Sequence, residues 1–498
     1  MMAEMPSRPP SAPPALDATT IAAESKLPGR RRSEPDVIVL VIAWYPLEPQ
    51  RVGELAVVPA SGSAQVLGRG GDDDEPRVRF FRSRAGRLEP TGPLASPALS
   101  RRQVELASGP DGVEVRNVGQ CTMRINGVEC LSARIQPGDT LRFRQELLLL
   151  CAQRPARLEP LRHFEMAAAG AFGEADVAGI LGESPAIWAL RERIAFAAKS
   201  SAHVLFVGET GTGKELAAQA VHRFSARAGR PLVARNAATL PSGLIDAELF
   251  GNVRNYPNPG MADRLGLIGQ ADGGFLFLDE IGELPAELQS HLLRVLDAGG
   301  EYQRLGESTA RRSDFRLLAA TNRDPEELKH DLVARLTLRV ELPPLSERRE
   351  DIALLVRHLI LRASEKSPEI AARFVVRGES AKAVRVDSQL IDELLRRSYS
   401  ANMRELEGLL WNAMSGSDGD TVSSSELPSG RRARESVTAP SVPSSHPRNA
   451  EPSEEAIRQA LAREKGNVAR AAKALGLSTR YALYRLMTKL GIEGDPGA

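Results

Sequence analysis

Residues 208–214 read Gly-Glu-Thr-Gly-Thr-Gly-Lys and follow the apolar run Val204-Leu205-Phe206-Val207. A strand that runs into such a loop presents backbone N–H groups and a lysine to nucleotide phosphates. Gly208, Gly211 and Gly213 let the backbone wrap closely around phosphate oxygens, with Glu209, Thr210 and Thr212 between them. Lys214 then opens a helix whose positive end favours the anion. A glycine-rich surface turn has the same composition, so the loop by itself leaves that reading open. The run Phe275-Leu276-Phe277-Leu278-Asp279-Glu280 adds a buried strand that ends in two acids. In a phosphoryl-transfer site the first, Asp279, holds Mg2+ and the second, Glu280, polarises the attacking water. Such a pair also caps helices or forms surface ion pairs. Beside this loop, hydrolysis of a nucleoside triphosphate is the better reading.

The 498 residues have room for about three domains, or two with linkers. A formal net charge of +1 supplies no global field for nucleic acid or membrane, so any DNA affinity must come from a local basic patch. Cys121, Cys130 and Cys151 form no C-x-x-C pair, and no histidine stands at metal-ligand spacing, so neither a disulfide framework nor a zinc site is indicated. The first residues lack the apolar stretch of a signal peptide, and no apolar run approaches the roughly 18 residues that span a bilayer. A cytoplasmic protein without a membrane partner is expected.

The elements that must hold this chemistry follow from composition and periodicity. Residues 1–36, rich in Pro, Ser and Ala, bury too little apolar surface to offset ordering entropy and read as a disordered arm. Residues 37–155 alternate short β-type runs with Gly, Pro and Asp turns and read as an all-β sandwich. Residues 176–341 alternate apolar strands with helical patterns, which predicts a parallel sheet covered on both faces. Residues 342–418 read as a wholly helical lid and 419–450 as a flexible linker. The tail, 451–494, carries two short helices around Gly476, a helix-turn-helix pattern. Thr479, Arg480, Tyr481, Tyr484, Arg485 and Lys489 would line its groove-facing side. A three-helix oligomerisation cap has the same pattern. The fold class is therefore multidomain: an N-terminal β sandwich, a central α/β domain with a helical lid, and an all-α tail.

The stretch from Gly179 to Met414 resembles the AAA+ module of bacterial enhancer-binding proteins, the sigma-54-dependent transcription activators. The motifs are GETGTGKE (208–215), ARNAATL (234–240), AELFG (247–251), GGFLFLDEIGELP (273–285), LLRVLDAGGEYQRLGE (292–307), AATNRD (319–324), LPPLSERREDI (342–352) and NMRELEG (402–408). The tail resembles the family's Fis-type DNA-binding domain. Glu215, where ordinary phosphate loops have Ser or Thr, fits the family's variant. The resemblance implies that Asn236 is a switch engaging Glu280, Asn322 a sensor of the γ-phosphate and Arg404 the lid's second sensor. It implies that Arg335 reaches the neighbouring subunit's site in a homo-oligomeric ring, with Lys329 where a second arginine is usual. Lys329 keeps the charge but loses the bidentate fork.

Where family activators carry Gly-Ala-Phe-Thr-Gly-Ala, the loop that touches sigma-54, this chain reads Asn255-Tyr256-Pro257-Asn258-Pro259-Gly260. Two prolines fix φ and remove donors, which predicts a rigid turn, with Tyr256, Pro257 and Asn258 as the candidate contact. An ordinary surface loop reads the same way. The β domain resembles a forkhead-associated domain through Gly68-Arg69, Leu99-Ser100-Arg101-Arg102-Gln103, Asn126-Gly127 and Pro137-Gly138-Asp139. That resemblance implies a phosphothreonine site at Arg69, Ser100 and Arg101, although Gln103 stands where His is usual. Alternatively the sandwich only packs, with Arg69 paired to Asp72, Asp73 or Asp74. Together these imply an ATP- and Mg2+-dependent regulator acting on promoter or enhancer DNA and on RNA polymerase with sigma-54. The altered loop keeps open a DNA-binding regulator whose ATPase only switches oligomerisation, and a remodelling machine without a promoter role is the reading that the tail opposes.

Overall fold

In the computed structural model, residues 35–58, 64–70, 76–109, 112–241, 243–297, 299–377 and 382–424 are described, with 457, 458, 460 and 475 of the tail. The chain divides into Met1–Arg434 and Glu435–Ala498, and the elements below belong to the first unit. The arm up to residue 34, the linker beyond 424 and the tail residues Thr479, Arg480, Tyr481, Tyr484, Arg485 and Lys489 lie outside the described residues.

The N-terminal strand Asp36–Trp44 is buried on both faces from Val39 onward and pairs antiparallel with Leu147–Pro155, Val41 opposite Leu150. These two strands centre an eight-stranded sheet, and a four-stranded sheet formed by Ser132–Ile135, Gly112–Asn117, Val104–Gly109 and Gln65–Leu67 covers one face of it. Alternation divides the run Leu147-Leu148-Leu149-Leu150 between two cores. Leu147 and Leu149 join Leu40, Ile42, Leu106 and Phe143 inside the sandwich. Leu148 and Leu150, with Trp44, pack instead among the lid leucines. That explains why these strands read as continuous apolar runs rather than alternating ones. The cysteines are free thiols, and burial pushes that of Cys151 up to about 12.

The central sheet is all parallel, in the order Leu232–Asn236, Phe275–Asp279, Arg316–Thr321, Val204–Val207, Leu338–Glu341. Helices α1 (Pro185–Lys199) and α2 (Lys214–Phe224) pack on one face through Ile187, Ile194 and Val221. The other face is covered by α3 (Ile245–Phe250), α4 (Gly266–Gln270), α5 (Ala286–Asp297) and α6 (His330–Arg335), through Leu249, Leu267, Leu292 and Leu332. Residues 156–183, given no element from sequence, wrap the outside of α1: Phe164 packs edge-on against Trp188 and Phe224. Three successive backbone N–H groups, of Arg162, His163 and Phe164, donate to the Glu192 carboxylate.

The lid holds α7 (Ile352–Lys366), α8 (Pro368–Ala371), α9 (Ser388–Arg396) and α10 (Asn402–Ser415). Two expectations are corrected here. The lid is not wholly helical, because Val375–Arg377 pairs antiparallel with Lys382–Val384. The β-branched residues around that hairpin favour a pleated, half-buried ribbon over a helix. Residues 419–424, read as linker, pack on the lid: Val422 is fully buried, bridges to Val386 and accepts the Asp387 N–H. A single valine among polar residues is too weak a pattern to mark burial. Among the described residues no helix is long and apolar enough to cross a membrane.

Candidate nucleotide site

The site forms at the carboxyl ends of the three central strands, where a parallel sheet opens a crevice. The loop after Val204–Val207 turns through Gly211 (φ +78°) and Gly213 (φ +100°), and Gly213 caps α2. Glycine at 211 also answers a close approach, since a Cβ there would stand 2.1 Å from the Ala401 carbonyl oxygen. Lys214 is buried; its Nζ donates to the Gly208 and Glu209 carbonyls at 3.0 and 3.3 Å and lies 3.7 Å from Glu280 Oε1. Thr212 Oγ1 donates to Glu209 O at 2.8 Å and keeps the loop closed.

Asp279 and Glu280 end the neighbouring strand, both half-buried. Glu280 sits at φ +52°, a left-handed conformation that costs a non-glycine residue energy and turns its carboxylate back over the loop. Its Oε2 accepts the Asn322 N–H at 3.3 Å, while Asn322 Nδ2 donates to Thr210 Oγ1 at 3.3 Å. Loop, acids and Asn322 are thus brought together from three strands. Asn236 is next to Asp279 in the sheet register, but its Oδ1 caps the following turn by accepting the Ala238 N–H at 2.9 Å. The expected Asn236–Glu280 engagement is absent from the hydrogen bonds of these described residues. Glu215 points away, accepting from Gln219 across one helical turn.

Arg404 is exposed on the first turn of α10. Arg335, about half exposed, pairs at 2.5 Å with Asp297 of the same chain, and Lys329 Nζ donates to Ser290 Oγ. Asn402, absent from the sequence expectations, is buried and bonded to the phosphate loop. The motif NMRELEG draws attention to its arginine, and only the position of an Asn directly before a helical pattern hinted at the rest.

The loop after α3 is tied at its base and tip. Asn252 exchanges backbone hydrogen bonds with Arg264, Asn255 N donates to Met261 O at 2.9 Å, and Gly260 N donates to Asn255 Oδ1 at 3.0 Å. Tyr256 is 44% exposed, one side of its ring lying over Gly306, and Pro257 and Asn258 are exposed beside it.

In the sandwich, Arg69 and Arg101 line a cavity of about 500 Å³ together with Arg77, which the sequence reading did not single out. Ser100 Oγ accepts the Gln120 N–H at 3.0 Å, and Ser100 O accepts the Arg69 N–H at 3.1 Å. Gln103 is buried; its Oε1 accepts Ser100 N–H, and its Nε2 donates to Asn117 Oδ1 and Cys121 O. One carboxamide both accepts and donates here, so glutamine holds the loop without a histidine. Asp72, Asp73 and Asp74 lie outside the described residues.

Residues 180–344 match the model of the Sigma-54 interaction domain, 346–443 an AAA+ ATPase lid domain and 453–490 the Fis family of bacterial regulatory proteins. The chain is 38% identical over 315 residues to the transcriptional regulatory protein ZraR of Klebsiella oxytoca, a match covering 62% of this chain and 68% of that one. It belongs to the sigma-54-dependent transcriptional regulators. A second relative, the DNA-binding transcriptional regulator NtrC of Klebsiella pneumoniae, is 41% identical over 260 residues, 51% of this chain and 52% of that one. The crystal structure of NtrX from Brucella abortus in complex with ADP is 28% identical with a TM-score of 0.45, covering 64% and 70% of the two chains. As one of these regulators the chain is a P-loop AAA+ ATPase that binds ATP. The β sandwich lies outside the three matched spans.

Proposed function

We propose that residues 208–215 bind the phosphates of ATP, with Lys214 as the cation between them, that Glu280 activates water, and that Asp279 holds Mg2+. What carries this reading is the meeting of Lys214, Glu280, Asn322 and Thr210 at the carboxyl edge of the sheet. Asp279 and Glu280 offer hard oxygen donors, and Mg2+ takes one or two carboxylates with its remaining positions filled by phosphate and water. Bound there, the ion neutralises charge on the phosphates. Asn322 reads the γ-phosphate through its link to Thr210, Asn236 relays that state to Glu280 once its Oδ1 leaves the Ala238 N–H, and Arg404 contacts nucleotide from the lid. Arg335 serves a neighbouring subunit in a ring once it leaves Asp297. The tail binds promoter or enhancer DNA through Thr479, Arg480, Tyr481, Tyr484, Arg485 and Lys489, in a cytoplasmic protein.

Hydrolysis drives the 255–260 loop against RNA polymerase carrying sigma-54. Tyr256 is the loop's large apolar group, flanked by Pro257 and Asn258, so a transition-state analogue of ATP should trap a complex with sigma-54 that Tyr256→Ala abolishes. Absence of any trapped complex, with ATPase activity intact, assigns the ATPase to switching oligomerisation instead.

The sandwich supplies a phosphothreonine-peptide input through Arg69, Ser100 and Arg101. Arg69 and Arg101, with Arg77 on the same cavity, suit a dianionic phosphate, whose charge-assisted hydrogen bonds are roughly twice as strong as neutral ones. Arg69→Ala and Ser100→Ala should each weaken a library-selected phosphopeptide about tenfold or more. A library in which no phosphopeptide outcompetes its unmodified twin makes the sandwich a packing module.

A further inference from the structure

Asn402 starts α10 in the lid, yet its side chain serves the nucleotide loop. It is fully buried at φ +49°, a left-handed conformation that Asn tolerates better than most residues. Nδ2 donates to Glu209 Oε2 at 2.9 Å and to Thr210 O at 3.1 Å, while Oδ1 accepts the Leu345 N–H at 2.7 Å. Leu345 follows Pro343-Pro344, where the chain leaves the sheet for the lid. One carboxamide, itself buried, thus joins the phosphate loop, the sheet-to-lid crossing and the lid helix. The neighbouring residues reinforce it: Met403 N donates to Gly211 O at 3.1 Å, and Ala401 O fills the space beside Gly211.

A loop with three glycines loses much backbone freedom when it closes on phosphate. Where that freedom is already removed, binding is correspondingly tighter. We propose that Asn402 is the positioning residue that holds 209–211 in the phosphate-receiving conformation, so that the seating of the lid sets the affinity for ATP. This rests on the reading of 208–214 as the nucleotide cradle. It assigns Asn402 no contact with nucleotide and no part in water activation.

Asn402→Gly in the full chain is the direct test, because glycine accepts the same φ and only the carboxamide is lost. The Kd for ATP, by calorimetry, should rise about tenfold and KM with it, the scale of a hydrogen bond to a charged group. At saturation kcat should stay within about twofold, since Glu280, Asp279 and Asn322 are untouched. Asn402→Asp, which cannot donate and faces the Glu209 carboxylate, should bind more weakly still. A residue that only supports folding would lower the active fraction, reducing apparent kcat with KM unchanged, and that result overturns the proposal, as does an unchanged Kd. Should Asn402→Gly fail to fold, Glu209→Ala removes the acceptor from the loop side and should raise Kd about threefold; no rise overturns the proposal. Lys214→Ala run in parallel separates the failures: undiminished ATP affinity there refutes the cradle itself.

Discussion

Replacing Lys214 by Ala is expected to abolish ATP binding, whereas Glu280→Gln is expected to keep ATP bound and stop turnover. Lys214 Nζ is held by the Gly208 and Glu209 carbonyls at the mouth of α2, so its charge is already desolvated and aimed along the loop. An anion loses that charge-assisted contact entirely in the alanine variant, at a cost of about 3–4 kcal/mol, or two to three orders of magnitude in Kd. Glutamine at 280 keeps the shape and can still accept the Asn322 N–H, so the loop's neighbours stay in place. What it lacks is basicity, and general-base loss typically slows the chemical step by about 10²–10⁴. Titration calorimetry with ATP on both variants, beside single-turnover hydrolysis, measures the two effects separately. Equal loss of binding in both would refute the division of roles.

The second large effect lies far from the nucleotide, where the sandwich meets the lid. Asp392 on α9 is fully buried; its carboxylate accepts Thr140 Oγ1 at 2.5 Å and Arg396 Nε at 3.0 Å, with Arg142 Nε at 3.5 Å. Around it, Arg154 pairs with Glu350 at 2.5 Å, and Gln145 bonds Asp387 and Ser388. Trp44, Leu148 and Leu150 fill the apolar part of the joint against Leu354, Leu390 and Leu394. Deleting one side of a buried pair leaves the other charge uncompensated, so Asp392→Ala should destabilise the chain by about 3–5 kcal/mol. Asp392→Leu combined with Arg142→Leu should recover most of that loss, because the buried pair goes together, Arg396 keeps the backbone carbonyl of residue 392 as an acceptor and Thr140 retains Asn126. Denaturant titration followed by tryptophan fluorescence reads the change, since Trp44 is part of the joint. A loss under about 1 kcal/mol for Asp392→Ala would mean that water screens the pair as at a surface.

The motifs of the nucleotide site lie in short stretches because their demands are local. Phosphate needs consecutive N–H groups, glycines and a lysine within one turn, and the acids must follow directly on a buried strand. The three central strands of that domain were equally readable, since Val204–Val207, Phe275–Asp279 and Arg316–Thr321 are largely apolar runs buried between helices. The lid's hairpin and its packed end at Val422 were not, because a few β-branched residues between helices carry little periodic signal.

By itself the sequence determined the order of the β sandwich, AAA+ sheet and lid, and that the loop and the acid pair end apolar strands, while the family resemblance added Asn322. Only the tertiary structure decided that Asn402 closes on the phosphate loop, that Arg335 rests on Asp297, that Arg77 joins Arg69 and Arg101, and that the sandwich is bound to the lid. Each of these depends on a contact between residues remote along the chain, such as Thr140 and Asp392, 252 positions apart. Polar residues of this kind look like solvated surface in a linear pattern. They become functional only when folding removes the water around them and leaves each other as partners.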